Sequence, residues 1–578
     1  MGGRGASTGH TPYAAEDAAL YTRRRWWLGL TMGDLLDKAA DLYPHKEALV
    51  GLDAYGAMSR YTYGELRDAA DTLAANLLDQ GLEPGDRVLL QLPNWPEFVI
   101  AYFGLQKAGL VMVLLTVNHT AREIAHLARL TQPRGWVLPA SYRDTSYEEL
   151  VARVRADVSG LTTVVTAGGD GLAGCARLEH LLAPDSDGSD AGGAGAPEGG
   201  RAGHTPLAAR AARRARLAAV RPDPGALCQI LPSGGTTGLP KGAPRTHDDY
   251  ICNVEYVSKA WDLNVTDTCL VATTVGHNLA LLVTMSGSVF HGATMVLLDS
   301  TRPEDICRTM AAERVTCTGL VPTLVSRLVG YAGIAEHDLS ALERVYVGAA
   351  NSPPDLVRGV ETKLGARYVN AFGMVEGPCS QSRPGHSEEL RCNTIGVPTC
   401  PYDELVTLDA EGARTSRGVE GELAAKGPGI FTGYYDNAAA NQQAFTPDGY
   451  FRTGDLAVID DAGVIRITGR IKDIIIRGGE NIAARDVEDL ISSHPGVEYV
   501  AAIGLPDPDL GEVVCAVVKV VEGTTLSHDD IVAHLVGLEA ARALIPAASE
   551  FMDEIPLTAA GKADKKLLKQ MLAEGGGG

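Results

Sequence analysis

The sequence predicts an α/β protein with a large N-terminal domain of several subdomains and a small α+β C-terminal domain. Three observations support this fold class. The chain has 578 residues, which is too long for a single hydrophobic core. Segments with helical spacing alternate with strand-like segments up to about Arg470, a pattern typical of layered α/β domains. Beyond Arg470 the pattern changes to a compact unit of about a hundred residues, a common domain size.

We therefore expect three parts in the chain. Residues 1–30 would form an N-terminal extension, residues 31–470 the large domain and residues 471–578 the small domain. Within the large domain, residues 168–205 include a tract rich in Gly, Ala, Ser and Asp that is too poor in apolar side chains to pack. This composition predicts a disordered insertion.

The first elements of the large domain follow from the spacing of apolar residues. Residues 32–43 keep helical spacing, and the helix is expected to end at Pro44. A short strand is predicted at 47–50 and an amphipathic helix from 61 to 78. Residues 85–92 then form a buried strand pattern after a turn, which continues the alternation of an α/β layer.

A glycine-rich loop near the middle of the chain is a candidate phosphate site. It lies between a strand pattern at 226–231 and a helix capped near Thr246. Glycine N–H groups, hydroxyl groups and a lysine charge can together surround phosphate oxygens. The candidate residues are Ser233, Gly234, Gly235, Thr236, Thr237, Gly238 and Lys241. Leu239 and Pro240 precede the lysine, so the loop is not the G-x-x-x-x-G-K-[ST] pattern of many ATPases. The alternative is a surface turn without a ligand.

A polar pair and two segments rich in small residues follow this loop. His277 and Asn278 interrupt an apolar stretch, and buried polar groups need partners. A hydrogen-bonded pair inside the core is the alternative to a ligand site. Gly348 and Ala349 lie in the segment 345–352, which reads as a strand entering a turn, and small residues recur at 368–377. Such residues allow the backbone to lie flat against a planar ligand.

Charged residues near the domain boundary and in the small domain are further candidates. Asp455 could accept hydrogen bonds from sugar hydroxyls, and Arg470 could support the same sugar. In the small domain, whose compact unit begins at 474–476, we predict a helix at 486–493 and strands at 497–505 and 513–521. Lys562 follows them on a Gly-flanked loop that we expect to be mobile. Taken alone, it would be a solvent-exposed lysine.

Composition excludes several classes of function. The net charge of −21 argues against nucleic acid as a partner, since phosphate neutralisation needs a basic face. The ten cysteines show no C-x-x-C spacing, which predicts neither a zinc site nor a disulfide framework and favours the cytoplasm. The most apolar stretch, 109–117, is shorter than the ~20 residues that a membrane span needs. No membrane partner is therefore expected.

In this order, the motifs resemble the adenylate-forming superfamily of acyl-CoA synthetases, luciferases and nonribosomal peptide synthetase adenylation domains. The resemblance covers the chain from about residue 31 to 568, apart from the insertion. It implies the fold of that family, with a small mobile C-terminal domain. It also implies that a carboxylate reacts with ATP to give an acyl-AMP and pyrophosphate. The acyl group then passes to a thiol or another nucleophile.

The resemblance assigns roles to the candidate residues by motif match. Ser233 to Lys241 would hold the β- and γ-phosphates, Glu376 would ligate Mg²⁺, and Lys562 would act at the α-phosphate. Lys472 occupies the hinge position about which the small domain would rotate. The adenine and ribose would be bound by Gly348, Asn370, Phe372, Gly373, Met374, Asp455 and Arg470.

Details of these motifs resemble the branch that activates aryl acids such as salicylate and dihydroxybenzoate. Gly234 replaces the usual Ser or Thr, Met374-Val-Glu replaces the commoner x-Thr-Glu, and the tract 244–250 also matches. In amino-acid-activating relatives an aspartate at the Asn278 position pairs with the substrate ammonium. A neutral Asn278 cannot form that ion pair, but it can bond an ortho hydroxyl or amine on a benzoate ring.

The predicted acyl pocket combines a catalytic polar residue, His277, with mainly apolar walls. Its residues would be His277, Asn278, Val283, Gly348, Ala349, Ala371 and Cys379. Val283 lies where dihydroxybenzoate-specific members place a serine, so the pocket is less polar than theirs. Salicylate, anthranilate, 3-hydroxyanthranilate and bicyclic hydroxy acids all remain open as substrates.

The sequence thus predicts an ATP- and Mg²⁺-dependent ligase that adenylates an ortho-substituted aryl acid and releases pyrophosphate. The expected acceptor is a separate carrier protein with a phosphopantetheine arm, or CoA, in natural-product biosynthesis such as that of siderophores and nonribosomal peptides. An aryl-CoA ligase of aromatic catabolism is the alternative among enzymes. A non-catalytic homologue that binds an aryl acid and a nucleotide is the alternative from another class.

Overall fold

A computed structural model describes residues 9–183, 207–233, 239–349, 352–383, 385–477, 480–507, 510–538, 540–558 and 562–575. Its helices are α1 Ala15–Arg23, α2 Met32–Leu42, α3 Tyr63–Asp79, α4 Pro96–Lys107, α5 Ala121–Thr131, α6 Glu148–Asp157, α7 Leu178–Leu182, α8 Leu207–Ala219, α9 His247–Ala260, α10 Gly287–His291, α11 Pro303–Ala312, α12 Pro322–Val329, α13 Pro354–Gly359, α14 Glu388–Asn393, α15 Ala438–Ala444, α16 Ala484–Ser492, α17 His528–Gly537 and α18 Lys565–Gly575. Two π-helical segments, Leu279–Ser286 and Val360–Leu364, and three 3₁₀ turns, Ala332–Glu336, Ile471–Asp473 and Arg542–Leu544, complete the described helical structure.

The strands of the described residues are β1 Glu47–Leu52, β2 Met58–Thr62, β3 Arg87–Leu90, β4 Val111–Leu114, β5 Gly135–Pro139, β6 Ser141–Tyr142, β7 Thr145–Ser146, β8 Thr163–Ala167, β9 Ala176–Arg177, β10 Leu227–Ser233, β11 Lys241–Thr246, β12 Thr268–Val271, β13 Thr294–Leu297, β14 Cys317–Leu320, β15 Arg344–Val347, β16 Arg367–Gly373, β17 Cys379–Gln381, β18 Val397–Pro398, β19 Glu404–Leu408, β20 Gly421–Lys426, β21 Phe451–Ile459, β22 Ile465–Arg470, β23 Ile474–Arg477, β24 Glu480–Ala483, β25 Val497–Asp507, β26 Gly511–Val520 and β27 Ala548–Phe551.

Three larger sheets and the two-stranded sheet β6-β7 form the described part of the large domain. One has nine strands in the order β18-β17-β16-β15-β14-β12-β13-β1-β2, and a second has seven in the order β11-β10-β4-β3-β5-β8-β9. The neighbouring strands from β1 through β16 in the first sheet pair in parallel, as βαβ connections require. A four-stranded antiparallel sheet, β19-β20-β21-β22, carries the chain toward the small domain. The fold is therefore the predicted α/β architecture.

The largest apolar core lies between the first two sheets and is filled mainly by helices. Helix α4 is buried on all sides, and α3 and the π-helical segment Leu279–Ser286 pack into the same core. Reciprocal capping boxes start several of the helices around this core, at Thr31, Thr62 and Thr246. These caps satisfy N–H groups that would otherwise be unpaired at the helix starts.

The small domain is a separate antiparallel sheet with its own core. Its strand order is β24-β23-β26-β25, with β27 parallel to β26. Helices α16 and α17 cover one face of this sheet, and α18 packs on the other. The predicted α+β character and the predicted helix near 486–493 thus have counterparts in the structure, where the helix is α16.

Residues 9–30, in the predicted extension, pack against the large domain. The Tyr13 hydroxyl donates to the Ile430 carbonyl at 2.5 Å, and Trp27 Nε1 donates to the Pro428 carbonyl at 2.9 Å. Both rings lie in one aromatic cluster with Tyr21. This segment is held by aromatic side chains, which the Gly- and Ala-rich composition of its first residues did not indicate.

The prediction of a disordered insertion over 168–205 is wrong at its N-terminal side. Residues 168–183 are folded: β9 extends the seven-stranded sheet, and the Leu178 and Leu181 side chains of α7 are buried. Gly168 begins the segment with a positive φ of +74°, and its N–H donates to Glu179. Residues 184–206 lie outside the described part of the chain.

The arginines that follow this segment pair with α3. On α8, Arg214 donates to Asp68 and Asp71, Arg216 donates to Asp79, and the Arg213 side chain is buried. The helix thus lies on the acidic face of α3. Over the described residues, no helix is both long enough and apolar enough to cross a membrane.

Candidate active site

The predicted phosphate loop joins two antiparallel strands. Ser233 ends β10 and Lys241 begins β11, and the two residues are direct partners across the pair. The sequence predicted a helix directly after the loop, but β11 comes first and the helix α9 starts at its predicted cap, Thr246. Gly234, Gly235, Thr236, Thr237 and Gly238 lie outside the described residues. The hairpin brings both ends of the loop to one place.

Glu376 lies directly beside this hairpin. Its Oε1 atom accepts hydrogen bonds from the Ser233 hydroxyl at 2.6 Å and from the Tyr434 hydroxyl at 2.9 Å. The Lys241 ammonium lies 4.5 Å from the centre of the Tyr434 ring, within the range of a cation–π contact. Tyr434 thus links the lysine to the carboxylate, and sequence analysis had not identified it.

The turn that carries Glu376 is fixed by close backbone packing. Gly377 has a φ of +119°, and a side-chain carbon at this position would lie 2.1 Å from the Gly429 carbonyl oxygen. The Phe431 N–H donates to the Glu376 carbonyl at 2.8 Å. Only glycine allows this approach, so the sequence E-G at this turn is required by its geometry.

A buried arginine holds the same turn from the other side. Arg245 is fully buried and forms an ion pair with Asp249 at 2.6 Å. It also donates to the Val375 carbonyl at 2.9 Å and to the Gly429 carbonyl at 2.8 Å. Burial disfavours its charge, but Asp249 outweighs that effect and raises the pKa of Arg245. Arg245 therefore connects the start of α9 to the segment that presents Glu376.

Asp455 and Arg470 are partners on adjacent strands, β21 and β22. The Arg470 Nε atom donates to Asp455 Oδ1 at 2.5 Å. Burial disfavours the Arg470 charge, but the Asp455 carboxylate outweighs it and raises the pKa of Arg470. Asp455 is 2% exposed, and its second oxygen, Oδ2, is buried with no hydrogen-bond partner among the described residues. Such an unpaired acceptor is suited to a ligand hydroxyl.

The predicted adenine residues line β16 and the turn after it. Phe372 and Met374 pack against the apolar cluster of the four-stranded sheet. Gly373 pairs with Cys379 of β17, and a side-chain carbon at Gly373 would lie 3.4 Å from the Cys379 sulfur. The Asn370 amide nitrogen donates to the Thr394 carbonyl at 2.9 Å and to the Arg391 carbonyl at 3.3 Å. Asn370 therefore fixes the backbone that precedes β18, in addition to lying among the residues of the predicted adenine site.

Lys562 of the small domain lies within the same site as these large-domain groups. Burial, together with the positive charges of Arg470 and Lys472, lowers the pKa of Lys562 to about 8, although the negative charges of Asp455 and Glu376 act in the opposite direction. Its backbone is held in a turn in which the Thr558 N–H donates to the Lys562 carbonyl at 2.7 Å. Lys562 is partly buried, so it differs from the solvent-exposed lysine that would be expected of this position taken alone.

His277 is a further group that the charge of Lys562 reaches. Burial lowers the pKa of His277 to about 4, and the nearby charges of Lys562 and His119 act in the same direction. Its Nδ1 atom accepts a hydrogen bond from the Leu279 N–H at 3.3 Å. A neutral imidazole with an accepting Nδ1 carries its proton on Nε2, so His277 can donate one hydrogen bond without adding charge.

The predicted acyl pocket surrounds the start of the π-helical segment Leu279–Ser286. Asn278 precedes it, and the Asn278 Oδ1 atom accepts a hydrogen bond from the Tyr250 hydroxyl at 3.0 Å. Gly348 packs closely, since a side-chain carbon there would lie 3.2 Å from Leu279 Cδ1 and 3.3 Å from the Ala371 carbonyl oxygen. Any larger residue at Gly348 would narrow the space between β15 and this helix.

The remaining pocket residues share one apolar cluster. Val283, Ala371 and Cys379 are buried together in the main core, and burial raises the pKa of the Cys379 thiol to about 12. Ala349 has a φ of +77°, a left-handed conformation that is unfavourable for a residue with a side chain. Backbone strain of this kind costs about 1–3 kcal/mol and is concentrated at functional sites.

The predicted hinge lies where the two domains join. Lys472 is exposed in the 3₁₀ turn Ile471–Asp473, which joins β22 of the large domain to β23 of the small domain. Across the described residues, no group of three or more His, Cys, Asp or Glu side chains is arranged to hold a metal ion.

Comparisons with known families match this arrangement of two domains. A family profile described as AMP-binding enzyme matches residues 36–435. A second profile, described as AMP-binding enzyme C-terminal domain, matches residues 486–562. The two matches follow the division between the large sheets and the small sheet of the structure.

Individual relatives match over nearly the whole chain. A salicylyl-CoA synthase / salicylate adenylyltransferase from Streptomyces sp is 37% identical, with 98% of each chain covered. A salicyl-AMP ligase / salicyl-S-ArCP synthetase from Mycobacterium tuberculosis is 34% identical over 98% of this chain and 95% of its own. Among solved structures, apo MbtA from Mycobacterium smegmatis matches with a TM-score of 0.69 and 33% identity, covering 98% of this chain and 99% of its own.

Proposed function

Because the chain belongs to the AMP-binding enzyme family, we propose that it is an ATP-dependent aryl acid–AMP ligase. It joins an ortho-substituted benzoate-type acid to AMP, releases pyrophosphate and passes the aryl group to a thiol. The large domain, residues 31–470, holds both substrates. The small domain, from residue 471 onward, supplies Lys562.

The observation that carries this proposal is the neutral acyl end of the site. Asn278 and a neutral His277 stand where an amino-acid substrate would need a carboxylate for its ammonium group, and the walls behind them are apolar. A flat, uncharged ring with one ortho substituent suits such a pocket. The relatives named as salicylate-activating enzymes support the same class of substrate.

ATP would lie across the described groups in one orientation. Its ribose hydroxyls would donate to the unpaired Oδ2 of Asp455, which Arg470 holds in place. The β- and γ-phosphates would be bound at the hairpin by Ser233, Lys241 and the glycine-rich loop between them. The adenine would lie against Phe372, Gly373 and Met374. This places the α-phosphorus between Glu376 and Lys562, whose charges act on one another.

The first half-reaction is a displacement at that phosphorus. A carboxylate oxygen of the aryl acid forms a bond to the α-phosphorus, and the bond from phosphorus to the bridging oxygen breaks. Pyrophosphate leaves with the bonding electron pair, so no proton is transferred in this step. The enzyme contributes position and charge: His277 donates from Nε2 to the carboxylate, and the Lys562 ammonium stabilises negative charge on the reacting oxygens.

The donor set at Glu376 fits Mg²⁺. Mg²⁺ prefers oxygen ligands and is commonly held by one or two carboxylates together with substrate phosphates, which agrees with the single carboxylate here. Glu376 would hold the ion, with Ser233 and Tyr434 orienting its carboxylate through Oε1. When bound, Mg²⁺ neutralises phosphate charge.

The second half-reaction needs a thiol at the site that Lys562 occupies. The small domain would rotate about Lys472 and withdraw Lys562, and the thiolate would then attack the acyl carbon and release AMP. A carrier protein with a phosphopantetheine arm is the acceptor we favour, in a natural-product pathway of the cytoplasm. The ten free cysteines agree with a reducing compartment. Free CoA is the second candidate, because the name of one relative includes CoA synthesis.

Pyrophosphate exchange into ATP tests the proposal. Purified protein is assayed with 2-hydroxybenzoate, 2-aminobenzoate, benzoate, leucine, phenylalanine and a fatty acid. We expect ortho-substituted benzoates to support exchange far better than the amino acids or the fatty acid. Strong exchange with leucine or phenylalanine, and none with any benzoate, would refute the assignment. If none of the tested acids supports exchange, a non-catalytic binding protein would be favoured.

The acceptor is tested separately with the best acid. Thioester formation is measured with free CoA and with a phosphopantetheinylated aryl carrier protein at equal concentration. We expect the carrier protein to react with the higher kcat/KM. A preference for CoA would assign the enzyme to the aryl-CoA ligases instead.

A further inference from the structure

Two hydrogen bonds join buried polar side chains near the predicted acyl pocket, and the second of them ends at Asn278. The Tyr102 hydroxyl on α4 donates to Gln229 Oε1 on β10 at 3.0 Å. On α9, the Tyr250 hydroxyl donates to Asn278 Oδ1 at 3.0 Å. Tyr102, Gln229 and Tyr250 are fully buried, at 0% exposure. Buried groups of this kind are costly unless each is paired, so their hydrogen-bond directions are constrained.

Gln229 takes part in the first of these two hydrogen bonds. Its Oε1 atom accepts from Tyr102, and its amide nitrogen is buried with no hydrogen-bond partner among the described residues. Burial raises the pKa of Tyr250, and the Gln229 side chain partly offsets this. The Tyr250 hydroxyl donates to Asn278, and this hydrogen bond is the contact that orients the asparagine.

This direction fixes the orientation of the Asn278 amide. With Oδ1 occupied by Tyr250, the NH₂ group of Asn278 is the end available to the acyl pocket. Within the described part of the chain, that NH₂ group donates to no other protein atom. Asn278 thus presents a hydrogen-bond donor, not an acceptor, where the ortho substituent of the proposed substrate would lie.

We propose that Tyr250 is a positioning residue that keeps the Asn278 amide nitrogen directed at the ligand, so that the site selects an ortho oxygen over an ortho amine. The proposal rests on the aryl-acid function proposed above and narrows its substrate class. It assigns no contact between Tyr250 and the substrate. Tyr250 acts only through Asn278.

The chemistry of the two ligands explains the selection. In a 2-hydroxybenzoate the hydroxyl hydrogen bonds the adjacent carboxylate, which leaves an oxygen lone pair to accept from Asn278. In a 2-aminobenzoate one N–H bonds the carboxylate, the second N–H points outward, and the lone pair is delocalised into the ring. The outward N–H of the amine would therefore face the NH₂ group of Asn278, which is also a hydrogen-bond donor. Two buried donors facing each other leave both unpaired, which predicts a loss of about tenfold or more in kcat/KM.

The opposite direction of this hydrogen bond makes the opposite prediction. If the Asn278 amide were reversed, Tyr250 would accept from its NH₂ group and Asn278 Oδ1 would face the ligand. The pocket would then prefer an ortho amine. The preference between the two acids therefore reports the direction of the hydrogen bond between Tyr250 and Asn278.

The experiment compares kcat/KM in pyrophosphate exchange for 2-hydroxybenzoate, 2-aminobenzoate and benzoate. The test variant is Tyr250→Phe, which removes only the hydroxyl that orients Asn278. The matched control is Tyr256→Phe, on the same helix but in the aromatic cluster of the N-terminal segment. Benzoate has no ortho group, so it reports folding and the chemical step in each variant.

In the unaltered protein we expect 2-hydroxybenzoate to exceed 2-aminobenzoate by about tenfold or more. Tyr250→Phe should lower this ratio several-fold by reducing activity with the hydroxy acid, while benzoate activity and the Tyr256→Phe ratio stay unchanged. A preference of the unaltered protein for the amine would overturn the proposal. So would an unchanged ratio in Tyr250→Phe. If the unaltered protein shows no exchange with any aryl acid, the proposed function itself would be overturned. This result differs from the two outcomes that overturn only the role of Tyr250.

Discussion

The low pKa of Lys562 predicts how adenylation depends on pH. Burial and the neighbouring Arg470 and Lys472 lower the pKa of Lys562 from its ordinary 10.5 to about 8, which corresponds to about 3 kcal/mol against its charged form. The ammonium is charged below this pKa and neutral above it. We therefore expect kcat/KM for ATP in the exchange reaction to be full below about pH 8 and to fall by about tenfold per pH unit above it.

Two substitutions separate the charge from its titration. Lys562→Ala removes the cation and should lower exchange by about 10²- to 10³-fold, as the loss of one preorganised electrostatic contact does. Lys562→Arg retains a positive charge that does not titrate below about pH 12. We expect this variant to be less active than the unaltered protein, because the guanidinium group of arginine is larger than the lysine ammonium. Its rate should nevertheless not fall above pH 8.

The assay that completes the test follows each half-reaction alone. Exchange measures adenylation, and single-turnover transfer from a synthetic aryl-AMP to the acceptor measures the second step. Lys562→Ala should leave transfer nearly unchanged if the small domain withdraws the lysine before the thiol attacks. The reasoning is refuted if Lys562→Arg keeps the same alkaline fall, since another group must then titrate. Equal loss of both steps in Lys562→Ala would show that the lysine serves both.

Three further predictions test the hinge, the pocket and the support of the site. Lys472→Pro should slow transfer from a synthetic aryl-AMP and leave exchange largely intact, because proline restricts the rotation at the 3₁₀ turn. A variant that loses exchange but keeps transfer would contradict the assignment of Lys472 as the hinge. Asn278→Asp should lower exchange with 2-hydroxybenzoate by at least about tenfold, because a carboxylate would then face the ortho oxygen. An equal loss of exchange with benzoate would show that residue 278 does not contact the ortho group. Arg245→Leu should lower the free energy of unfolding, measured in urea, by about 3–5 kcal/mol, since Asp249 would remain buried and unpaired. The control Arg216→Leu breaks an exposed pair and should cost less than about 1 kcal/mol, and similar losses in the two variants would contradict the role of Arg245.

Local signals in the sequence predicted much of the fold. The cap at Thr246, the helices that became α2 and α3, and the strands that became β1 and β3 follow from spacing and capping chemistry within a few residues. The strand β11 was missed because its residues, Lys241–Thr246, include Gly242 and Pro244 and show no alternation of apolar and polar residues. Its pairing with β10 and its buried position stabilise it, which is a tertiary effect that propensity does not report.

In the candidate site, too, residues that belong to a local motif could be predicted, and residues placed only by tertiary structure could not. Motif positions such as Glu376, Asp455, Arg470 and Lys562 could be named from the sequence, and the structure brings them within one another's electrostatic influence. Tyr434 could not be named, because its hydroxyl reaches Glu376 across 58 residues of chain and no local pattern marks it.

The hydrogen bond between Tyr250 and Asn278 shows why the choice of ortho group was left open. The sequence identifies an asparagine, whose amide has a donor end and an acceptor end, and so allows either a hydroxyl or an amine. In our proposal the choice between the ends is made by Tyr250, whose hydroxyl donates to Asn278 Oδ1. Specificity at this position would then depend on Tyr250 of α9 as well as on Asn278. A related chain with the same His-Asn pair but an apolar residue at the position of Tyr250 would lose this constraint, and its asparagine could turn to accept an amine.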